Sequence, residues 1–472
     1  MEIIGRAQEQ ERLTACLESP RPEFVAVYGR RRVGKTFLIR EFFKNRFAFY
    51  ASGVADGKMR AQLKSFNDSL REHGCQQRAI PKDWFEAFAR LRTLLESDGA
   101  LREPGSGKLV VFLDELPWMD TPRSDFRAAL DRFWNMWGSA RPDLLLIVCG
   151  SATSWMIDNL IDDHGGFYNR VTRQMSLSPF TLAECEEYFA HSRAGMTRRQ
   201  VVECYMTFGG IPYYLNLIDR KYSLAQNIDQ LCFSQTGELR FEFDRLYRSL
   251  FRHSERHAAI VRALAQRSGG LLRTELAAME GIGDGRPLTS ALRELEQCGF
   301  VRQYHDFIKP KNGQVYQLID PFSLFHLRFL DSGEVGSWVS YYGTPGHAAW
   351  RGLAFELVCL LHVDQIKRAL GISGVETREA SWRAKTSPGA QIDLLIDRRD
   401  DVISVCEMKY ASEQFVISAE YAKALRAKLE AFEREVHPRK ALHLTMVTME
   451  GIARNAHSDI VQREVVADEL FA

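Results

Sequence analysis

Residues 29–36 read GRRRVGKT, the spacing G-x-x-x-x-G-K-[ST], set between a short apolar run, Phe24 to Tyr28, and a helical pattern opening at Phe37 and Leu38. In such a loop the glycines let backbone N–H groups wrap phosphate oxygens, and the following helix adds the positive end of its dipole. Gly29, Arg30, Arg31, Arg32, Val33 and Gly34 would form the cradle, with Lys35 reaching the outer phosphates and Thr36 offering a hydroxyl to Mg²⁺. About eighty residues on, LVVFLDE is an apolar strand that ends in two carboxylates. Asp114 is the candidate for holding the metal, and Glu115 for polarising the attacking water. That second carboxylate points to hydrolysis rather than to phosphoryl transfer onto a small molecule. The next strand, Leu144 to Cys149, runs into Gly150 and Ser151, and Ser151 is placed to sense the terminal phosphate.

A second constellation lies near the C-terminus. Asp393 opens one strand-like run, and Glu407-Met408-Lys409 closes the next. If the two strands are antiparallel neighbours, Asp393 and Glu407 meet at one end and can share a divalent ion, with the Met408 carbonyl as a further ligand. Side chains alternate along a strand, so Glu407 and Lys409 face the same way, and Lys409 can orient water at a phosphodiester.

These residues need three supports. The alternation of apolar runs at 47–51, 109–113 and 144–149 with helical segments predicts a parallel sheet covered by helices, residues 1–250 including a helical lid. Residues 251–332 read as three short helices and a two-stranded hairpin, a winged helix. Its third helix carries Arg286, Thr289, Ser290 and Arg293 beside Glu294 and Glu296, and its wing carries Lys309 and Lys311, a mixed face that suits DNA contact and internal scaffolding equally. A glycine-rich stretch, 333–349, reads as a linker. Residues 350–472 read as α-β-β-β-α-β. The fold class is therefore α/β, a nucleotide-binding sheet and lid followed by a winged helix and a small α/β domain.

Composition sets limits. The 472 residues, 45% hydrophobic and 26% charged, suit about three globular domains and exclude a mostly disordered chain. With 62 basic and 61 acidic side chains, net +1, any attraction to a polyanion must be local. The nine cysteines form no CxxC pair and read as buried thiols in a reducing compartment. No stretch has the length and apolarity of a spanning helix, and the charged N-terminus lacks a signal-like run, so the expectation is a cytoplasmic protein without membrane attachment.

Taken in order, IIGRAQEQERL, GRRRVGKT, LVVFLDELPWM, VCGSATSWM, FYNRVTRQMSLSPF and FGGIPYYL resemble the archaeal-type ATPase family within the AAA+ and STAND group of P-loop NTPases, over residues 1–330. The resemblance implies ATP with Mg²⁺ as cofactors. It implies that Ile4, Gly5 and Arg6 lie by the adenine, that Gly210, Ile211 and Pro212 fold over the nucleotide, and that Arg170 stabilises charge on the phosphates. Tyr168 and Asn169 stand before Arg170 where a glycine is usual, and Arg173 is a substitute. Residues 350–460 resemble the PD-(D/E)xK superfamily of restriction-endonuclease-like folds, in particular its Holliday-junction-resolvase-like members, with Ile392-Asp393 in place of the usual Pro-Asp. This implies DNA as partner, Mg²⁺ or Mn²⁺ at Asp393 and Glu407, and Glu356 as an accessory acidic position. The expected function is an ATP-hydrolysing regulator coupled to a metal-dependent DNA endonuclease, with a homo-oligomer left open. The alternatives are a STAND-like signalling ATPase with an inactive nuclease fold that binds a partner or DNA, and a winged-helix DNA-binding regulator.

Overall fold

The computed structural model describes residues 2–162, 170–251, 253–305, 307, 314–384 and 389–472. Contacts divide the chain into two compact units, Met1–Ser178 and Pro179–Ala472.

The first unit is a five-stranded sheet of order β2-β3-β4-β1-β5, with β1 Glu23–Tyr28, β2 Phe49–Ser52, β3 Leu109–Asp114, β4 Leu144–Gly150 and β5 Arg173–Ser176. Every neighbouring pair is parallel. Each residue of β3 and β4 is buried. Such unbroken apolar runs, LVVFL and LLLIVC, arise where both faces of a parallel sheet are covered. On one face the helices Met59–Glu72, Trp84–Leu95 and Phe126–Met136 supply an aromatic core in which Trp84 meets Phe66 and Phe126 edge-on. Asp83 caps the middle helix by accepting from the Glu86 N–H at 2.8 Å. The strand β5 was not foreseen as a strand; its short, mostly exposed sequence RQMS carries no apolar alternation.

The second unit begins with helices Leu182–His191 and Arg198–Phe208, each started by a threonine capping box, Thr181 with Glu184 and Thr197 with Gln200. Helices Ser254–Ala265, Arg273–Ala277 and Arg286–Gln297 follow, close to the three short helices expected. With them goes an antiparallel sheet of order β6-β8-β7, made of β6 Leu271–Leu272, β7 Val301–His305 and β8 Gln314–Leu318. The two-residue β6 adds a third strand to the anticipated hairpin. Lys309 and Lys311 lie outside the described residues.

Residues 333–349, expected as a loose linker, hold the short helix Trp338–Tyr341 and the start of the helix Pro345–Leu361. The reason is aromatic: Trp338 is 2% exposed, edge-on to Phe325, Phe329 and His347. The glycines flanking it masked this anchor in the sequence.

The last sheet has order β13-β12-β11-β10-β9, built from β9 Thr377–Arg383, β10 Gln391–Arg398, β11 Val402–Lys409, β12 Ala441–Thr448 and β13 Arg463–Val466. Strands β9, β10 and β11 run antiparallel in turn, whereas β11, β12 and β13 are parallel. The expected order α-β-β-β-α-β is present, with β13 as an extra edge strand. The helix Ala419–Val436 crosses between β11 and β12, burying Leu425 and Phe432 against Trp382, Leu395 and Val405.

All nine cysteines are free thiols, eight of them buried. Among the described residues no helix is long and apolar enough to cross a membrane.

Candidate functional sites

The glycine loop leaves β1 at its C-terminal end and enters the helix Lys35–Phe42. Gly29 has φ +142°, and a Cβ on it would overlap the carbonyl oxygen of Leu177, just beyond β5. Glycine is thus required at this crossing of backbones. Lys35 is 5% exposed, and its Nζ donates to the carbonyls of Gly29 at 2.8 Å and Arg30 at 2.9 Å. The N–H groups of the first helical turn have no partner within the helix, so the loop presents amides and an ammonium on the side where an anion is favoured. Arg30 and Val33 are buried, Arg31 is exposed, and Arg32 has φ +72°.

Thr36 Oγ1 donates to Asp114 Oδ2 at 2.9 Å. Asp114 ends β3 and is 4% exposed. Burial pushes its carboxyl above the usual range and the charge of Glu115 adds to this, while hydrogen bonds from Thr36, Cys149 and the Glu115 N–H oppose it. A hydroxyl and a carboxylate this close are hard oxygen donors that fit Mg²⁺.

Glu115 sits in the left-handed region, φ 45°, ψ 47°, unusual for a residue with a side chain. Its carboxylate is held from the neighbouring strand: Ser151 Oγ donates to Oε1 at 2.6 Å and the Ser151 N–H to Oε2 at 3.2 Å. Pairing of β3 with β4 brings the two strand ends together. The sequence reading placed Ser151 toward the nucleotide and missed this contact, whose signal was adjacency of the two strands.

Arg6, φ 58°, is buried and reaches the carbonyls of Val33 at 3.1 Å and Ser178 at 2.7 Å, tying Ile4-Gly5-Arg6 to the rim of the glycine loop. Arg170 is exposed; the residues before it, Tyr168 and Asn169 included, lie outside the described ones. Arg173 is no substitute for it. Its register opposite Val25 puts it low on β5, where it pairs with Glu23 at 3.8 Å, at the end of β1 away from the glycine loop. Pro212 stands in the second unit at the first position of the helix Pro212–Leu215.

In the C-terminal sheet Leu394 pairs with Cys406, so the next step along the antiparallel ladder sets Asp393 beside Glu407. The β9–β10 register shifts between Ile392 and Leu395, a bulge at Asp393; such bulges re-aim side chains. The Gln391 amide donates to Asp393 Oδ1. Both oxygens of Glu407 are engaged: Tyr421 donates to Oε1 at 2.7 Å and Lys428 to Oε2 at 2.7 Å, with Lys409 Nζ 3.3 Å from Oε1. Burial raises the Glu407 carboxyl, but Lys428, Lys409 and Tyr421 together leave it below its ordinary value. Glu356, on the helix Pro345–Leu361, is pushed up to about 7, first by burial and then by the charge of Asp393, against the opposing pull of Lys409 and Lys428.

Asp393 and Glu407 are hard donors on adjacent strands and suit Mg²⁺. Among the described residues, however, no group of three or more His, Cys, Asp or Glu side chains could hold a metal ion. Glu356 therefore does not complete a set of three carboxylates with them. Tyr421 and Lys428 were missed from sequence, although their spacing of seven places both on one face of the crossing helix.

A family described as an ATPase domain predominantly from Archaea matches residues 4–218. An uncharacterized protein of Methanocaldococcus jannaschii is 24% identical over 331 residues, 70% of this chain and 69% of that protein. Among solved structures, a Walker-type ATPase of Pyrococcus abyssi aligns with TM-score 0.50 and 20% identity over 69% of this chain and 96% of its own. The ORC2 protein of Aeropyrum pernix aligns with TM-score 0.43 and 16% identity over 70% and 94%. With the glycine loop, Thr36, Asp114 and Glu115 at the C-terminal ends of the parallel strands β1 and β3, the first unit has the P-loop fold, and residues 4–218 match an archaeal-type ATPase domain.

Proposed function

We propose that this chain is an ATP-hydrolysing regulator whose second unit carries a winged helix and a divalent-metal DNA endonuclease site. In the first unit the loop amides bind the phosphates, and Lys35 transfers its ammonium from the Gly29 and Arg30 carbonyls to phosphate oxygens. Thr36 and Asp114 would hold Mg²⁺, which would supply positive charge at the phosphates. Glu115 takes the proton of the attacking water, and Ser151 fixes its orientation. Arg170 meets phosphate charge. Ile4 and Gly5 contact the base.

The observation that carries the nuclease reading is the juxtaposition of Asp393 and Glu407 on adjacent strands, with Lys409 on the face of Glu407. Asp393 and Glu407 would hold Mg²⁺ or Mn²⁺, and Lys409 would orient water at a DNA phosphodiester. The winged helix serves as scaffold in this reading, since Glu294 of its third helix accepts from Ser290 at 2.9 Å and lies 2.9 Å from His257 Nε2. Incubation with Mg²⁺ or Mn²⁺ and branched, linear or single-stranded DNA tests it. Cleavage that disappears in Asp393→Ala and in Lys409→Ala supports the reading, and ATP hydrolysis without nicking refutes it.

One observation favours a second reading, a STAND-like signalling ATPase with a binding-only C-terminal domain. Lys428 and Tyr421 already satisfy both oxygens of Glu407, as in a site that has exchanged a metal for a lysine.

A further inference from the structure

Asp393 and Glu356, each of intermediate exposure, are partly covered from within their own unit. Asp393 and Glu356 line a cavity of about 30 Å³ whose other walls include Arg267, Ser268 and Gln317. About 10–15 Å³ of such space holds one water molecule, so two or three waters fit and a nucleic-acid backbone does not.

The wall is part of the module built on β6, β7 and β8. The Gln317 amide on β8 donates to the Ser268 carbonyl, and the Tyr304 hydroxyl on β7 donates to the Gly269 carbonyl at 2.6 Å. The turn at 267–270 is thereby fixed to the small sheet. At Gly269 a Cβ would overlap the amide of Gln391 and the guanidinium of Arg383, and that same amide holds Asp393. A second fastening lies beyond β7. The Phe307 N–H donates to the Ser381 carbonyl at 3.0 Å, and its ring meets Phe432 edge-on at 5.4 Å, with Arg378 over it. Ser381 is the β9 residue between Trp382 and Ala380, opposite the bulge at Asp393.

We propose that the module carrying β6, β7 and β8 is a removable cover over Asp393, so that this structure is the closed, autoinhibited state of the site. Opening requires the turn 267–270 and Phe307 to leave β9 and β10 together, which makes access a two-state equilibrium that a ligand or a nucleotide-driven change can shift. The substrate's identity rests on the nuclease reading above; the cover itself does not.

The experiment uses the full chain with Cys75→Ser, because Cys75 is the cysteine that is not buried. Asp393→Cys is then treated with a bulky maleimide, with and without Phe307→Ala. The cover predicts slow labelling that accelerates at least tenfold when Phe307 is truncated, and stays slow in Phe307→Leu. In the chain with Asp393 intact, Phe307→Ala should raise Mn²⁺-dependent nicking by a similar factor. Fast labelling irrespective of Phe307 overturns the cover. Labelling that responds to Phe307 while no variant nicks DNA upholds the cover and sinks the nuclease reading. If Phe307→Ala does not fold, Gly269→Ala, which displaces Gln391 and Arg383, gives the same readout: unchanged labelling refutes the cover.

Discussion

Ser151 grips Glu115 with both of its donors, hydroxyl at 2.6 Å and backbone N–H at 3.2 Å, from the end of the neighbouring strand. A carboxylate in a left-handed turn is thus fixed in direction by a residue that the sequence alone would assign to the nucleotide.

If Ser151 orients the base, Ser151→Ala should lower kcat for ATP hydrolysis by about tenfold or more while leaving ATP affinity within about twofold. Removing the base itself in Glu115→Gln should cost on the order of 10²-fold. Phosphate release together with fluorescent-nucleotide titration separates the two. A Ser151→Ala variant that binds ATP poorly but turns over normally would return Ser151 to a phosphate-contacting role.

Lys35 is held by two carbonyls of its own loop. Lys35→Ala should therefore abolish measurable ATP binding, read by equilibrium dialysis, while the far-ultraviolet circular dichroism stays that of the parent. Should ATP binding vanish with DNA cleavage rate and specificity untouched, coupling between the two chemistries is wrong.

Lys428 neutralises one oxygen of Glu407. Lys428→Met keeps the aliphatic stem and removes the charge, so Mn²⁺ affinity measured by calorimetry should rise about five- to tenfold. Unchanged or weaker binding would show that Glu407 is not a ligand.

Glu356 carries a pH signature. Its carboxyl, pushed up to about 7 from 4.5, binds its proton more tightly in the folded than in the unfolded chain. Its contribution to stability is therefore full below pH 4.5 and is lost as pH rises to about 7, at most about 3 kcal/mol. Glu356→Gln, a permanent mimic of the protonated form, should match the parent Tm at pH 4.5 and exceed it at pH 8. A difference that does not change with pH would contradict this.

The glycine loop, the β3 carboxylates and the alternation of strands and helices were legible because each is local in sequence. So was the succession α-β-β-β-α-β along the last domain, the edge strand β13 apart, since apolar runs such as QIDLLI and VISVCEM mark their own boundaries. What stayed hidden depends on neighbours in space. Ser151 meets Glu115 through β3–β4 pairing, Tyr421 and Lys428 reach Glu407 from a helix, and Trp338 turns a glycine-rich stretch into packed structure. Arg173 was misjudged because nothing in RQMS says where along β1 it will register.

The placement of β1 bears on how the first unit is made. This early strand is flanked by β4 and β5, and its glycine loop closes against Leu177. A nascent chain can form the helix Ala7–Glu18 at once, but β1 has no permanent neighbour until β4, some 120 residues further on, has been synthesised, and its second neighbour, β5, comes later still. Contacts of such long sequence separation are slow to form. Until then the apolar FVAV segment is an unpaired edge, the kind of surface that invites misassembly.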